Sequence, residues 1–233
     1  MSDPPKPGAT AAGGAPRSPE RSAGQSSGAT AYDALMAALS DGVYAPGDRL
    51  REEEVARRLA LSRTPVREAL RRMEAEGMVI HRPRAGAVIR QLSHAEVVEL
   101  YEMRIVLERT AAQMAARHGS GAEFDTLAML NDRIAAARDN PATGAAINQR
   151  FHRGLYQAGR NRFLLESARG LNNALLLLGP STYTDPDRID EVVAQHSAIV
   201  AALRAQDADA AGAAAQAHLE TSLRHRLVRI DDA

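Results

Sequence analysis

The second half of the chain contains four side chains whose types and spacing suit a metal ion. Asn148 and His152 are four residues apart, so they share one face of a helix. His196 has apolar residues three and four positions away on both sides, which indicates an inward ring, and His218 lies beside an alanine stripe in the last predicted helix. Three imidazoles and one side-chain oxygen could bind a divalent ion and leave positions open for water or an acid. The alternative is that each histidine is buried and hydrogen-bonded to a neighbour.

The first half contains an arginine-rich segment whose chemistry suits nucleic acid. Residues 63–90 hold seven arginines and three acidic residues, a net charge of +4. The planar guanidinium fork matches phosphates and guanine edges. Five side chains of one short helix and its start would face a groove of DNA: Ser62, Arg63, Thr64, Arg67 and Arg71. The alternative is that the arginines of this helix only solvate it and pair with its glutamates.

Three short helices and a hairpin would position these arginines. Apolar spacing predicts helices over residues 30–40, 51–59 and 62–76, and β-prone runs over 78–80 and 87–89. This order is typical of a winged helix-turn-helix, in which the N-terminal turn of the third helix reaches base edges in the major groove. The tip of the hairpin would lie against phosphates or in the minor groove through Arg82, Arg84 and Gly86.

The remainder of the chain is predicted to be helical. Ser93 and Glu96 form a capping-box pattern at the start of a helix over 93–118. Five more helices are predicted, over residues 122–139, 143–158, 161–178, 187–205 and 208–229. The predicted fold is therefore mainly α, with a DNA-binding domain at 29–92 and an all-helical domain at 93–230. Residues 1–28 are rich in Pro, Gly, Ser and Ala, which predicts a disordered tail.

Composition excludes several classes of protein. The chain has 233 residues, 29 basic and 29 acidic, and 45% of them are hydrophobic, which is enough for a core. It contains no cysteine, so disulfides, thiolate metal sites and cysteine nucleophiles are excluded. No apolar run approaches the ~20 residues of a membrane span, and the N-terminus lacks an apolar secretory core. We therefore expect a cytoplasmic protein that does not enter membranes.

Several segments of the first half resemble the signature of the GntR superfamily. The matching segments are YAPGDRL at 44–50, SRTPVREAL at 62–70, Glu76-Gly77 and Gly86. The resemblance implies a winged helix-turn-helix that binds a short palindromic operator in double-stranded DNA as a homodimer. It implies DNA contacts from Ser62, Arg63, Thr64, Arg67 and the wing residue Gly86. Arg51, at the start of the second helix, is a weaker correspondence.

Residues 95–230 resemble the C-terminal ligand-binding domain of the FadR subfamily, which is called FCD. The resemblance rests on the segments 148–152 and 158–161 and on the helices that carry His196 and His218. It implies an antiparallel bundle of six or seven helices, in which an Asp and three His hold a metal and a small organic acid completes the shell. Asn148 stands where Asp is usual, so the site lacks a charged protein ligand and favours an anionic effector, or else binds an acid without metal. Zinc is the expected cofactor, with nickel and manganese as alternatives.

Arg104 matches a position that lies near the ligand pocket in the FCD family. An arginine there would bind the carboxylate of an effector in bidentate fashion. The alternative from the sequence is an i,i+4 ion pair with Glu108.

Together these patterns predict a ligand-responsive transcriptional regulator, with repression the expected mode, and not an enzyme. An acid bound between helices would change the spacing of the two recognition helices in a dimer. One alternative is a DNA-binding dimer whose bundle is purely structural. The other is a three-His metal-dependent enzyme, but the sequence contains no HExxH motif and offers no obvious general base on the predicted metal helices.

Overall fold

A computed structural model of the chain describes residues 23–179 and 181–231. The described helices are α1 (Ala23–Ser40), α2 (Glu52–Arg58), α3 (Arg63–Ala75), α4 (His94–His118), α5 (Gly121–Ala136), α6 (Pro141–Ala158), α7 (Arg162–Ala174), α8 (Pro186–Arg204) and α9 (Ala208–Asp231). The strands are β1 (Arg49–Leu50), β2 (Val79–Arg82) and β3 (Gly86–Ile89), and two 3-10 turns cover Leu175–Leu178 and Thr182–Thr184. The prediction of a mainly α fold with a small hairpin wing is confirmed.

The first three helices and the sheet form one domain with its own core. The strand order is β1-β3-β2, with both pairs antiparallel, and Val79 lies opposite Ile89 in the wing. The predicted hairpin is present, whereas β1 was missed because two residues are too few to show an alternating pattern. The cluster of buried apolar side chains around these elements is called the N-terminal core. It includes Leu35, Val55, Val66, Met73 and Ile89.

Helix α1 begins earlier than the sequence predicts. Its first residue is Ala23, whereas the prediction began at 30 and assigned 23–28 to the tail. The apolar spacing used for the prediction starts only at Leu35, which is buried. Backbone hydrogen bonds extend a helix that is already nucleated without any further apolar residue, so the first turns carry no signal in the sequence. Residues 1–22, the rest of the predicted tail, lie outside the described residues.

The second half forms a bundle of six helices, α4 to α9, around the long helix α4. Helix α4 packs against α6, α7, α8 and α9, and α5 packs against α6 and α8. Buried alanines on α4, such as Ala112 and Ala115, allow this close approach. The predicted capping box is present: Ser93 accepts from the backbone of Glu96, and Glu96 accepts from the backbone of Ser93. Of the six helices predicted after residue 92, only the one over 161–178 differs in form, since α7 continues as a 3-10 turn.

That 3-10 turn places a leucine of the second half in the core of the first half. Leu177 is 2% exposed and belongs to the N-terminal core, and Leu176 packs against the same core. Close by, Asn173 on α7 donates a hydrogen bond to the Tyr32 hydroxyl of α1, with a nitrogen–oxygen distance of 3.4 Å. The two domains are therefore joined by a shared hydrophobic contact as well as by the connecting chain.

Hydropathy within the described residues gives no support for a membrane span. None of the helices placed there is long and apolar enough to cross a bilayer.

Candidate functional site

The arginines at the start of α3 are exposed and paired with glutamates of α2. Arg67 donates to both carboxylate oxygens of Glu52, at 2.9 and 2.8 Å, and its side chain is 50% exposed. Arg63, 56% exposed, lies 3.0 Å from Glu53 and 3.7 Å from Glu52. The hydrogen bond from Arg67 is the main reason that the pKa of Glu52 lies below its ordinary value. Exposed ion pairs contribute only about 0–1 kcal/mol, so both guanidiniums remain available for exchange with another anion.

A groove of about 500 Å³ lies between α3, the start of α2 and the wing. Four of the residues predicted to bind DNA line it, and we call it the arginine groove: Arg51, Arg67, Arg71 and Gly86. Glu52, Glu74 and His81 also line it, so its charge is mixed. The sequence-based alternative expected these arginines to pair with the glutamates at 68, 74 and 76. Arg72 does pair with Glu76, at 3.0 Å, whereas Arg67 pairs with Glu52 of the preceding helix.

The other residues predicted to bind DNA lie beside the arginine groove but do not line it. Ser62 is the N-terminal cap residue of α3, and its side chain makes no capping hydrogen bond. Ser62 and Thr64 are exposed at this end of the helix. Arg84 is exposed at the tip of the wing with φ +62, and Gly86 has φ +75 with open space around it. The N-terminal end of α3 and the tip of the wing therefore both present polar groups to solvent.

The three predicted histidines meet in the bundle, and we call them the imidazole cluster. His152, His196 and His218 are 5%, 0% and 2% exposed, and one ring nitrogen of each lies within 4.8 Å of the others. Nε2 of His196 and Nε2 of His218 are 3.4 Å apart. The ring of Phe151 stacks on that of His196 with centroids 3.8 Å apart. Helices α6, α8 and α9 each contribute one ring, as the spacing predicted.

Partners outside the cluster fix the orientation of two of the rings. Nδ1 of His152 is bonded to a carboxylate oxygen of Glu108, which is 1% exposed. Nδ1 of His218 is 2.8 Å from Oε1 of Gln195. In both rings the bonded nitrogen is Nδ1, which leaves Nε2 for the centre of the cluster. Buried metal-binding histidines are commonly oriented by such a second partner.

Burial keeps two of the rings neutral. Desolvation, followed by the positive charges of neighbouring groups, holds the pKa of His196 and His218 well below the ordinary value. Arg188 contributes to both shifts, and Arg104 contributes to that of His218. Neutral imidazoles are the form that binds a metal ion.

Arg104 is placed beside the imidazole cluster and also makes the alternative contact. It is 6% exposed, and its guanidinium is 3.8 Å from the carboxylate of Glu108. Burial alone would raise the pKa of Glu108, but His152 and Arg104 outweigh it, so the pKa lies below its ordinary value. Glu108 entered the sequence prediction only as a partner of Arg104. In the structure, the buried carboxylate of Glu108 contacts both His152 and Arg104.

Asn148 has an unsatisfied oxygen. It lies one turn before His152 on α6, and its Oδ1 is buried without a hydrogen-bond partner among the residues that the structure describes. Buried acceptors without partners are rare in folded proteins and often mark an ion or water. Three imidazoles with this amide oxygen are a suitable donor set for a divalent metal such as zinc. These donors fit a divalent metal ion, although none of them is an anionic ligand.

Two further polar residues near the cluster were missed by sequence reasoning. Arg188 is 2% exposed and donates to Glu191 at 2.9 Å and to Ser222 at 2.6 Å. Its Nε has no partner within the described ranges. Tyr183 is 6% exposed, its hydroxyl has no partner among the residues placed in the structure, and burial raises its pKa. Arg188 lies two helical turns before His196, a spacing that could have suggested it. Tyr183 follows a Gly-Pro break and carried no such signal.

Comparison with known proteins gives two family matches. The family described as "Bacterial regulatory proteins, gntR family" matches residues 28–89, and the FCD domain family matches residues 99–221. The HTH-type transcriptional regulator YdhC of Bacillus subtilis (strain 168) is 27% identical over 197 residues, which cover 83% of this chain and 88% of that protein. The "Probable D-xylose utilization operon transcriptional repressor" of Paenarthrobacter nicotinovorans is 30% identical over 193 residues, which cover 82% and 84%.

Solved structures with the same fold include two bacterial proteins. E. coli McbR/YncC superposes with a TM-score of 0.77 at 20% identity, covering 88% of this chain and 98% of that one. A GntR transcriptional regulator from Rhodococcus sp. RHA1 has a TM-score of 0.73 at 25% identity, covering 87% and 98%. The first shows a shared fold alone, and both cover the two domains described above.

Proposed function

Because the chain belongs to the GntR family of bacterial regulatory proteins and carries an FCD domain, it is a DNA-binding transcriptional regulator, and we propose that it is a repressor controlled by a small organic acid. The observation that carries this proposal is the combination of an arginine groove on a winged helix-turn-helix with a buried imidazole cluster in the attached bundle. The family and the names of its relatives point to regulators, which confirms the expectation that the protein is not an enzyme. One relative is named as a repressor, which supports repression.

The DNA-binding surface is proposed to be the N-terminal end of α3 with the wing. Arg63 and Arg67 exchange their glutamate partners for base edges and phosphates of the major groove. The wing tip, with Arg84 and Gly86, follows the backbone or the minor groove. The remaining contacts are assigned to Arg51, Ser62, Thr64 and Arg71.

The working form is proposed to be a homodimer that acts in the bacterial cytoplasm. A dimer with two-fold symmetry presents two copies of α3 to two half-sites, so the operator is expected to be a short palindrome. An acid that binds one arrangement of the bundle better than another shifts the spacing of the two helices through its differential affinity.

The effector site is proposed to be the imidazole cluster with Asn148 and Arg104. The three rings and the amide oxygen would hold a divalent ion, zinc by default and nickel or manganese as alternatives. When bound, the ion supplies positive charge and open positions for the oxygens of an acid. Arg104 binds the carboxylate of that acid. Its contact with Glu108 is 3.8 Å, longer than a hydrogen bond, so the guanidinium retains capacity for a second anion.

A selection experiment tests the DNA-binding half of this proposal. The purified full chain is mixed with random duplexes at low salt, and bound sequences are selected. A short palindrome is expected. Substituting Arg67→Gln should weaken its enrichment and relax the preference at one base pair, whereas the matched control Arg117→Gln, an exposed arginine at the end of α4, should leave the selected motif unchanged. Failure to enrich any motif would contradict the proposal.

The effector is identified on the same preparation. Elemental analysis and mass spectrometry of co-purified small molecules are followed by melting and operator binding with acetate, butyrate, succinate and citrate. We expect about one equivalent of metal per chain, a higher melting temperature with at least one acid, and release of the operator.

A second candidate is a DNA-binding dimer whose bundle has only a structural role. The parallel stack of Phe151 on His196 favours it, because such a contact is ordinary core packing. The absence of metal in the purified protein, together with unchanged melting in every acid, would support this candidate over the first.

A further inference from the structure

The helices that carry the imidazole cluster carry a second set of polar groups farther along the same faces. On α8, Arg188 lies two turns before His196, with the buried apolar Val192 between them. On α9, Ser222 lies one turn after His218. The guanidinium of Arg188 reaches Ser222 at 2.6 Å, so its head lies about one helical turn of 5.4 Å along the bundle from His218.

Tyr183 also lies on this side of the imidazole cluster along the bundle, and it belongs to a different element from Arg188. It lies in the 3-10 turn that precedes α8 and contacts α6 at Gly144, which is two turns before His152. A Cβ on Gly144 would lie 3.1 Å from the ring of Tyr183, so glycine allows this approach. Burial raises the pKa of the Tyr183 hydroxyl, and the positive charge of Arg188 acts in the opposite direction. The two side chains therefore share one environment.

Both residues hold donors without a partner in the described part of the chain. Nε of Arg188 and the hydroxyl of Tyr183 accordingly have no hydrogen-bond acceptor among the described residues, and both side chains are more than nine-tenths buried. Toward the imidazole cluster, Oδ1 of Asn148 and Nδ1 of His196 are also without partners. Unsatisfied buried groups are costly, so two such donors, one of them on a charged guanidinium, indicate a missing acceptor with negative charge.

We propose that Arg188 and Tyr183 form a second anion subsite of the effector site and that the effector is a small dicarboxylate. This inference rests on the proposed function, because the first carboxylate occupies the imidazole cluster and Arg104. The second carboxylate accepts from Nε of Arg188 and from the Tyr183 hydroxyl. The short aliphatic chain between the carboxylates packs against Val192. Glu191, which pairs with another nitrogen of Arg188, is 40% exposed and so leaves much of the arginine's charge for this ligand.

The test compares two four-carbon acids that differ by one carboxylate. Succinate and butyrate are titrated by calorimetry into the zinc-loaded full chain. The variants are Arg188→Gln and Tyr183→Phe, and the control is Arg204→Gln, an exposed arginine at the far end of α8 that pairs with Asp125. Zinc content and melting temperature without acid are measured for every protein.

The expected result is a difference between the acids that depends on the subsite. Succinate binds the wild type at least about tenfold more tightly than butyrate, the gain from a charge-assisted hydrogen bond. Arg188→Gln reduces succinate affinity to the level of butyrate, and Tyr183→Phe reduces it several-fold. Butyrate affinity, zinc content and the control are unchanged. Because the Tyr183 hydroxyl has no partner to lose, Tyr183→Phe keeps the test valid even where Arg188→Gln impairs folding.

Other results overturn the inference and show which part is wrong. Equal affinities of the two acids in the wild type, or succinate affinity unchanged by both variants, would refute the second subsite while leaving the effector site in place. Equal loss of both acids together with zinc would assign Arg188 a structural role. If neither acid binds although zinc does, control by an organic acid fails as well, and the inference fails with it.

Discussion

Substituting Leu177→Ala should destabilise the DNA-binding domain, although the residue lies in the FCD domain in sequence. The side chain is 2% exposed within the N-terminal core. Truncation of a buried leucine to alanine costs about 2–5 kcal/mol, depending on how far the cavity collapses. A value near 2.8 kcal/mol corresponds to about a 100-fold increase in the unfolding equilibrium of that domain.

Hydrogen–deuterium exchange with mass spectrometry can locate this effect. Amides of α3 and β3 should exchange about 100-fold faster in the variant where exchange requires unfolding of the domain, whereas amides in the middle of α5 and α6 should be unchanged. The control is Leu178→Ala, since Leu178 is only half-buried and is not part of the N-terminal core. Faster exchange confined to the bundle, with the N-terminal core unaffected, would refute the claim that Leu177 stabilises the first domain.

Three further outcomes follow from the contacts described above. Arg67→Gln should weaken binding to the selected operator by about 1–3 kcal/mol and relax the preference at one base pair, as measured by fluorescence anisotropy; equal loss on all sequences would indicate a phosphate contact instead. His196→Ala should abolish zinc binding in a chelator competition. In the same assay, Asn148→Asp should raise zinc affinity because it adds a negatively charged ligand. A lower zinc affinity of Asn148→Asp would contradict the assigned donor set. Glu96→Gln should lower the melting temperature at pH 7 by the equivalent of less than about 1 kcal/mol, since the carboxylate is partly exposed. Hydrogen bonds from the backbone and side chain of Ser93, and then from Arg90, lower the pKa of Glu96 to about 2. Its contribution is therefore present above the ordinary pKa near 4.5 and lost as the pH falls through about 2, so the variant and wild type should converge in acid; a constant difference down to pH 2 would show that the charge is not involved.

The sequence was most informative where a period or a cap determines an element. The helical period placed α3, and the capping box at Ser93 fixed the start of α4, because both patterns follow from backbone geometry. The strand β1 and the early start of α1 gave no such pattern. The 3-10 turn over Leu175–Leu178 was also missed. A run of four leucines is compatible with an α-helix and with a 3-10 turn, so the sequence does not show where one changes into the other.

The candidate site was predictable only in part. The imidazole cluster followed from inward-facing positions on separate helices, and its assembly required only that those helices share one core. Glu108 and Arg188 were missed as site residues because charged side chains on a helix are usually solvated, and the sequence does not show which of them are buried. Tyr183 depends on the path of the chain after Gly179, where a positive φ of +73 redirects it.

The burial of the imidazole cluster has a consequence for timing. With His196 fully enclosed and His152 only 5% exposed, the proposed effector would have to enter by a parting of the neighbouring helices. The speed at which an occupant enters then levels off as its concentration rises, because the opening rate becomes limiting. The same barrier slows dissociation of the effector after dilution. The effector-bound state would therefore persist after the free effector has been removed.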